Sequence, residues 1–198
     1  MKIGVLSLQG DFDKHRKMLE SLEVSTVLVR DAETLKTIDG LVIPGGESTT
    51  MGKLIRSFGM AETLEKRILS DDMPVFGTCA GMILLAAEII GFEQYSVKAL
   101  DISVKRNAYG RQIESFETQI EMTLSDGSEH QARGVFIRAP QIERAGNGVK
   151  VLAEYEDHPV LIQQKNILAA SFHPELTKDT TVHAYFCKMI KEGVSTNP

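Results

Sequence analysis

The chain has 198 residues, 42% of them hydrophobic and 25% charged, with a formal net charge of −5. That length and apolar content suit one core-forming α/β domain over residues 1–198. The acidic balance and the lack of a basic run argue against nucleic acid as the main partner; the apolar stretch 83–90, broken by Glu88, is too short to span a membrane.

Cys79 and Cys187 are too few for a disulfide framework, and residues 1–8 run into charge too early for a signal peptide, so the expected setting is a reducing cytoplasm. Residues 3–8 form an apolar run ending at Gln9-Gly10, and Asp11 then caps a periodic segment carrying Phe12, His15, Met18, Leu19 and Leu22. This reads as a strand followed by a helix. Residues 24–29 and 41–44 read as further strands, apolar enough for a parallel sheet covered on both faces. Gly45-Gly46-Glu47-Ser48-Thr49-Thr50 follows, with Ser48 or Thr49 placed to cap a helix through Met51, Leu54 and Ile55. Residues 61–69 predict another helix and 75–78 a strand.

After Gly91 the segments 96–104, 116–124, 134–137, 149–155, 160–164 and 167–171 alternate in shorter stretches and predict antiparallel and edge strands. Ser125-Asp126-Gly127-Ser128 has the composition of a hairpin turn, residues 179–191 predict a closing helix, and 193–198 a frayed tail. The expected fold is α/β: a doubly wound, mostly parallel sheet with helices on both faces and antiparallel additions in the second half. Ligands of such sheets collect beyond the carboxyl ends of the strands.

At one such end lies Pro74-Val75-Phe76-Gly77-Thr78-Cys79-Ala80-Gly81-Met82. A cysteine among small residues between strand and helix reads as a nucleophile elbow, where the helix start favours thiolate over thiol. The plainer reading is a buried cysteine. A cysteine nucleophile needs a base. Of the five histidines, His173 alone follows a strand and has an acid two residues on, in Ser171-Phe172-His173-Pro174-Glu175. Pro174 pushes His173 toward extended backbone, in which residues i and i+2 share a side, so Glu175 would orient the imidazole. Against this stands a histidine that merely ends a strand. His130, His158 and His183 are read as structural, no cofactor is expected, and no His/Cys/Asp/Glu set has metal-ligand spacing.

Gly45-Gly46-Glu47-Ser48, Gly77-Thr78-Cys79-Ala80-Gly81 and His173-Pro174-Glu175 together resemble the class I, triad-type glutamine amidotransferases over nearly the whole chain. Within them, Leu8-Gln9-Gly10, Pro44 to Thr50, Cys79-Ala80-Gly81-Met82, Arg106-Asn107-Ala108-Tyr109-Gly110-Arg111-Gln112 with Ser115-Phe116-Glu117, Phe136-Ile137-Arg138-Ala139-Pro140 and His173 to Thr177 resemble the glutaminase subunits of pyridoxal 5′-phosphate synthase. The resemblance implies hydrolysis of L-glutamine to glutamate, with ammonia passed to a barrel-shaped synthase subunit. It makes Cys79 the nucleophile, His173 the base and then the acid, and Glu175 the orienter, and it implies that Gln9-Gly10 and the next helix face the synthase. An oxyanion needs two backbone donors, here Ala80 and Gly46. Gly46, Glu47, Ser48, Arg106, Ile137 and Arg138 are implied to bind glutamine, with Glu47 at the ammonium and an arginine at the carboxylate. Plainer readings are a loop or phosphate turn at Gly45-Gly46, although no Walker lysine follows, and surface charge at the arginines. A cysteine hydrolase of the same fold and a non-catalytic, partner-binding regulatory subunit stand as alternatives.

Overall fold

The structure is a computed structural model that describes residues 1–106 and 115–195, with side chains through residue 193. The segment Asn107 to Gln112, quoted above, lies outside the described residues. The strands are β1 (Lys2–Leu6), β2 (Ser25–Val29), β3 (Gly40–Ile43), β4 (Val75–Thr78), β5 (Ala86–Ile89), β6 (Leu100–Lys105), β7 (Ser115–Thr123), β8 (Glu129–Ile137), β9 (Gln141–Ala145), β10 (Lys150–Tyr155), β11 (His158–Gln164) and β12 (Ile167–Ala170). The helices are α1 (Phe12–Ser21), α2 (Ala32–Leu35), α3 (Ser48–Ser57), α4 (Ala61–Leu69), α5 (Ala80–Leu85) and α6 (Thr181–Ser195).

Among the described residues a nine-stranded sheet has the order β2-β1-β3-β4-β12-β11-β10-β7-β8, and β5-β6-β9 form a second, smaller sheet. The strands from β2 to β12 run parallel, and β11, β10, β7 and β8 continue antiparallel. Both faces of the parallel half are apolar because successive side chains alternate sides. Leu41 and Ile43 enter one core cluster and Val42 the other; Val75 and Phe76 divide in the same way. On one face Leu19 of α1 and Val182, Phe186 and Ile190 of α6 cover the sheet, and on the opposite face Met51 and Ile55 of α3 and Leu64 of α4 do. Burying each such side chain contributes about 1.5–3 kcal/mol, so these two layers are the main grip on the sheet. This is the doubly wound α/β architecture expected from the alternating runs. Among the described residues no helix is long and apolar enough to cross a membrane.

Several local readings need correction. β12, read as an antiparallel or edge strand, sits in the middle, parallel to β4 and antiparallel to β11. The cap of α3 is Glu47, not Ser48 or Thr49: its carboxylate accepts the backbone N–H of Thr49 at 3.0 Å and of Thr50 at 2.6 Å. Glutamate reaches both amides from one position farther back. Asp11 stands before α1, but its side chain makes no capping bond. β5, β9, α2 and the first half of β8 went unread, and α6 continues through Ser195, into the stretch expected to fray. The hairpin turn was legible: the Leu124 N–H donates to Ser128 O at 2.9 Å between β7 and β8.

The central pairing positions the site. Ala170 lies opposite Thr78, so parallel β4 and β12 leave the sheet together, and the Cys79 N–H donates to Ala170 O at 2.8 Å. β1 and β3 belong to the same parallel set, which brings Gln9-Gly10 and Gly45-Gly46 to that edge.

Candidate active site

Cys79 has φ 48° and ψ −102°, a left-handed conformation costly to a residue with a Cβ and typical of residues held in place for function. The turn is so tight that a Cβ on Gly81 would lie 2.1 Å from Ile43 O, which requires glycine there. Cys79 is 7% exposed, and its Sγ makes a long contact of 3.8 Å to Ile137 O. α5 has six residues before the chain enters β5, so its dipole is short. Cys187 is a different thiol: it is buried on α6, and burial pushes its pKa up to about 11, away from thiolate chemistry.

His173 leaves β12 and is pinned by its N–H, which donates to Val135 O of β8 at 2.8 Å. Its backbone has φ −110°, as a residue before proline should, but Pro174–Leu176 then form a 3-10 turn rather than continuing extended. Glu175 therefore reaches the ring from a turn, and His173 Nδ1 lies 2.7 Å from Glu175 Oε1. Burial alone would lower the His173 pKa; the hydrogen bond with Cys79, then the bond and charge of Glu175, outweigh it and raise the value to about 10. Burial would likewise push the Glu175 carboxyl up, yet His15 and then His173 hold it well below the usual carboxylate range. A Cβ on Gly45 would lie 2.3 Å from His173 Cε1 and 3.4 Å from Cys79 Cβ, so loop, imidazole and cysteine meet at one point.

Gly46 has φ +152°, and a side chain there would strike Gln9 Oε1 at 2.3 Å. That same oxygen accepts the Glu47 N–H at 2.8 Å, tying the turn after β1 to the loop after β3. Glu47 and Arg106 face each other: Arg106 Nη2 donates to Glu47 Oε1 at 3.1 Å, and Nη1 to Thr49 Oγ1 at 3.1 Å and Gln94 Oε1 at 3.0 Å. The Arg106 guanidinium also stacks 4.4 Å over the Phe92 ring. Partial burial would raise the Glu47 pKa, but the bonds from Thr50 and Thr49 hold it well below the usual carboxylate range.

A cleft of about 390 Å³ is lined by Gly46, Glu47, Ser48, Cys79, Arg106, Ile137, Arg138 and His173. Ala80 is buried beneath the elbow, and Glu175 lies behind His173, out of the cleft. Arg138 has φ 45°, so a second strained backbone borders the same space. The cleft suits a small zwitterion: a nucleophile at its floor, a fixed carboxylate and two guanidinium groups at its rim. The sequence reading missed Asp11, Ile83 and Leu176 in its walls, Gln94 behind Arg106, and His15, Thr78 and His183 behind Glu175. Position after β1 was the available signal for Asp11; the others come from distant segments with no shared spacing. Among the described residues no group of His, Cys, Asp and Glu is arranged to hold a metal ion.

A family model described as "SNO glutamine amidotransferase family" matches residues 5–192. The chain is 53% identical over 192 residues to a pyridoxal 5′-phosphate synthase subunit PdxT of Thermosipho africanus, covering 97% of this chain and 100% of that one. It is 53% identical over 195 residues to a PdxT of Koribacter versatilis, covering 98% of each. A solved structure described as a glutamine amidotransferase superposes with a TM-score of 0.90 at 47% identity, over 96% of this chain and 98% of that one. An elbow cysteine, a carboxylate-bound histidine and a glycine loop converge at one sheet edge in a chain matched along nearly its whole length, and the chain belongs to the SNO glutamine amidotransferase family.

Proposed function

We propose that residues 1–198 act as one cytoplasmic glutaminase domain, which hydrolyses L-glutamine through a γ-glutamyl thioester on Cys79 and passes the ammonia to the barrel-type synthase subunit of pyridoxal 5′-phosphate synthase. The relatives' name, a subunit of that synthase, supports the pathway. The observation that carries the chemistry is the 2.7 Å bond between His173 and Glu175 beside a strained Cys79.

In this reading the Cys79 thiolate attacks the side-chain amide carbon of glutamine, and the carbonyl oxygen takes negative charge toward the Gly46 and Ala80 N–H groups. His173, carrying the thiol proton, gives it to the departing nitrogen, and ammonia leaves with formation of the thioester. Water then loses a proton to His173, attacks the thioester carbon and releases glutamate and the thiol. Glu175 fixes the ring throughout. At the other end of the ligand, Glu47 offers a carboxylate to the ammonium and Arg106 or Arg138 a guanidinium to the carboxylate, while Ser48 and Ile137 border the main-chain end.

The direct test is an electrophilic glutamine analogue followed by peptide mass mapping. A single adduct on Cys79 is expected; an adduct on Cys187, or none on protein that is turning over glutamine, overturns the assignment.

A second expectation concerns pH. Because the folded His173 pKa is raised from 6.5 to about 10, its proton adds stability that is complete below pH 6.5 and lost as pH climbs through about 10. The difference in urea midpoint between wild type and His173→Gln should therefore shrink across that window. A constant difference shows that the imidazole gains no proton affinity on folding.

A further inference from the structure

Glu175 uses one oxygen on His173; the other, Oε2, is buried without a hydrogen bond among the described residues, and its nearest cationic-type neighbour is His15 Nε2 at 3.4 Å. His15 is a fully buried residue of α1, and the same Nε2 lies 3.1 Å from Thr78 Oγ1, on the residue before the nucleophile. On its far side His15 Nδ1 is 2.9 Å from Nε2 of His183, a fully buried residue of α6. His183 Nδ1 has no hydrogen-bond partner among the described residues.

These contacts select a proton arrangement. Burial lowers the His183 pKa to about 3, so this ring is neutral and carries one proton. A buried N–H without an acceptor costs more than a buried lone pair without a donor. The proton of His183 therefore belongs on Nε2, the nitrogen that has a neighbour, and is donated to His15 Nδ1. His15 must then carry its own proton on Nε2, which it shares with Thr78 Oγ1 at 3.1 Å, with Glu175 Oε2 beside it at 3.4 Å. The chain of donors runs from His183 to His15 to Thr78, and its last N–H lies against the carboxylate that holds His173.

Resting on the glutaminase reading above, we propose that His15 is a positioning residue for the reaction: its Nε2–H, set by His183, lies 3.4 Å from the free oxygen of Glu175 and draws the carboxylate electrostatically, so that it meets His173 Nδ1–H in the orientation that turns Nε2 toward Cys79. His15 does not line the cleft, so its proposed effect passes through Glu175.

Glutaminase assays of the complex with the synthase test this with three substitutions. His15→Phe keeps the ring volume and removes both nitrogens. His15→Gln places an amide N–H near the former Nε2, and His15→Asn reaches only the former Nδ1. Loss of an N–H dipole from beside a buried charge predicts that His15→Phe and His15→Asn lower kcat by about 10-fold with KM for glutamine within about 2-fold. His15→Gln should recover most of kcat. In a Glu175→Gln background, His15→Phe should cost less than about 3-fold more, because the group through which it acts is already altered. Thermal melting of each variant records folding, and if His15→Phe does not fold, the Gln and Asn pair decides. Wild-type kcat in His15→Phe, equal losses in Gln and Asn, or the same fold-loss in both Glu175 backgrounds would overturn the proposal. His173→Ala separates the two readings: full activity there removes the triad itself, whereas an inactive His173→Ala beside a fully active His15→Phe removes only the role of His15.

Discussion

Replacing His173 with alanine should lower glutamine turnover in the synthase complex by about 10²- to 10⁴-fold, the span of general acid–base catalysis, because the proposed mechanism gives one imidazole both proton transfers. The protein should stay folded and keep its partner, since the pinning bond to Val135 O comes from the backbone N–H and the ring borders the cleft. Glu175→Gln should cost less. Its amide oxygen can still accept the Nδ1 proton at the 2.7 Å position, while the charge that favours the imidazolium is gone. Steady-state glutamate release by the three proteins, each saturated with synthase, gives the ranking. A His173→Ala protein with wild-type turnover removes the Cys79–His173–Glu175 assignment.

The chain by itself is expected to be a poor glutaminase that the synthase activates by about 10²- to 10³-fold, the worth of one oxyanion donor. The structure supplies a route. Gln9 Oε1 holds the Glu47 N–H at 2.8 Å, and Gly46, at φ +152°, is the peptide hinge between that bond and the nucleophile. A partner pressing on the Gln9-Gly10 turn acts on the same loop that must aim the Gly46 N–H inward. Such coupling is reciprocal, so glutamine must tighten partner binding by the factor by which the partner tightens glutamine. Titrating Cys79→Ala protein against the synthase with and without glutamine measures that factor. Equal affinities, together with full turnover by the isolated wild-type chain, would show a preformed oxyanion hole.

The parallel strands were legible because each is apolar on both faces, as Leu41, Val42 and Ile43 show by entering two clusters from three successive positions. What such a run lacks is any mark of its neighbours. Ile167–Ala170 reads the same whether it lies at an edge or between β4 and β11, and so its central seat was missed. β9 was missed for the opposite reason, since Glu143 and Arg144 mask its short pattern. In the site, spacing within a few residues was readable: Cys79 between Thr78 and Ala80, and Glu175 two after His173. Exchanges over long range were not. Glu47 and Arg106 were both read as ligand-binding groups, but no spacing in the sequence announces that they pair with each other. His15, Thr78 and His183 lie on α1, β4 and α6, and only the closed fold brings them within hydrogen-bonding distance.

The seat of β12 also bears on how the chain is made. Its neighbour β4 is Val75–Thr78, whereas β12 is Ile167–Ala170, so all of the chain between them must be made before β4 gains this partner, and until then that edge shows unpaired N–H and C=O groups beside Cys79. Such an edge invites pairing with a strand of another nascent chain, and closing it depends on contacts distant in sequence, which form slowly. The strand that seals the middle of the sheet is also the one that carries His173 to Cys79, so that closing the core and assembling the cleft happen together.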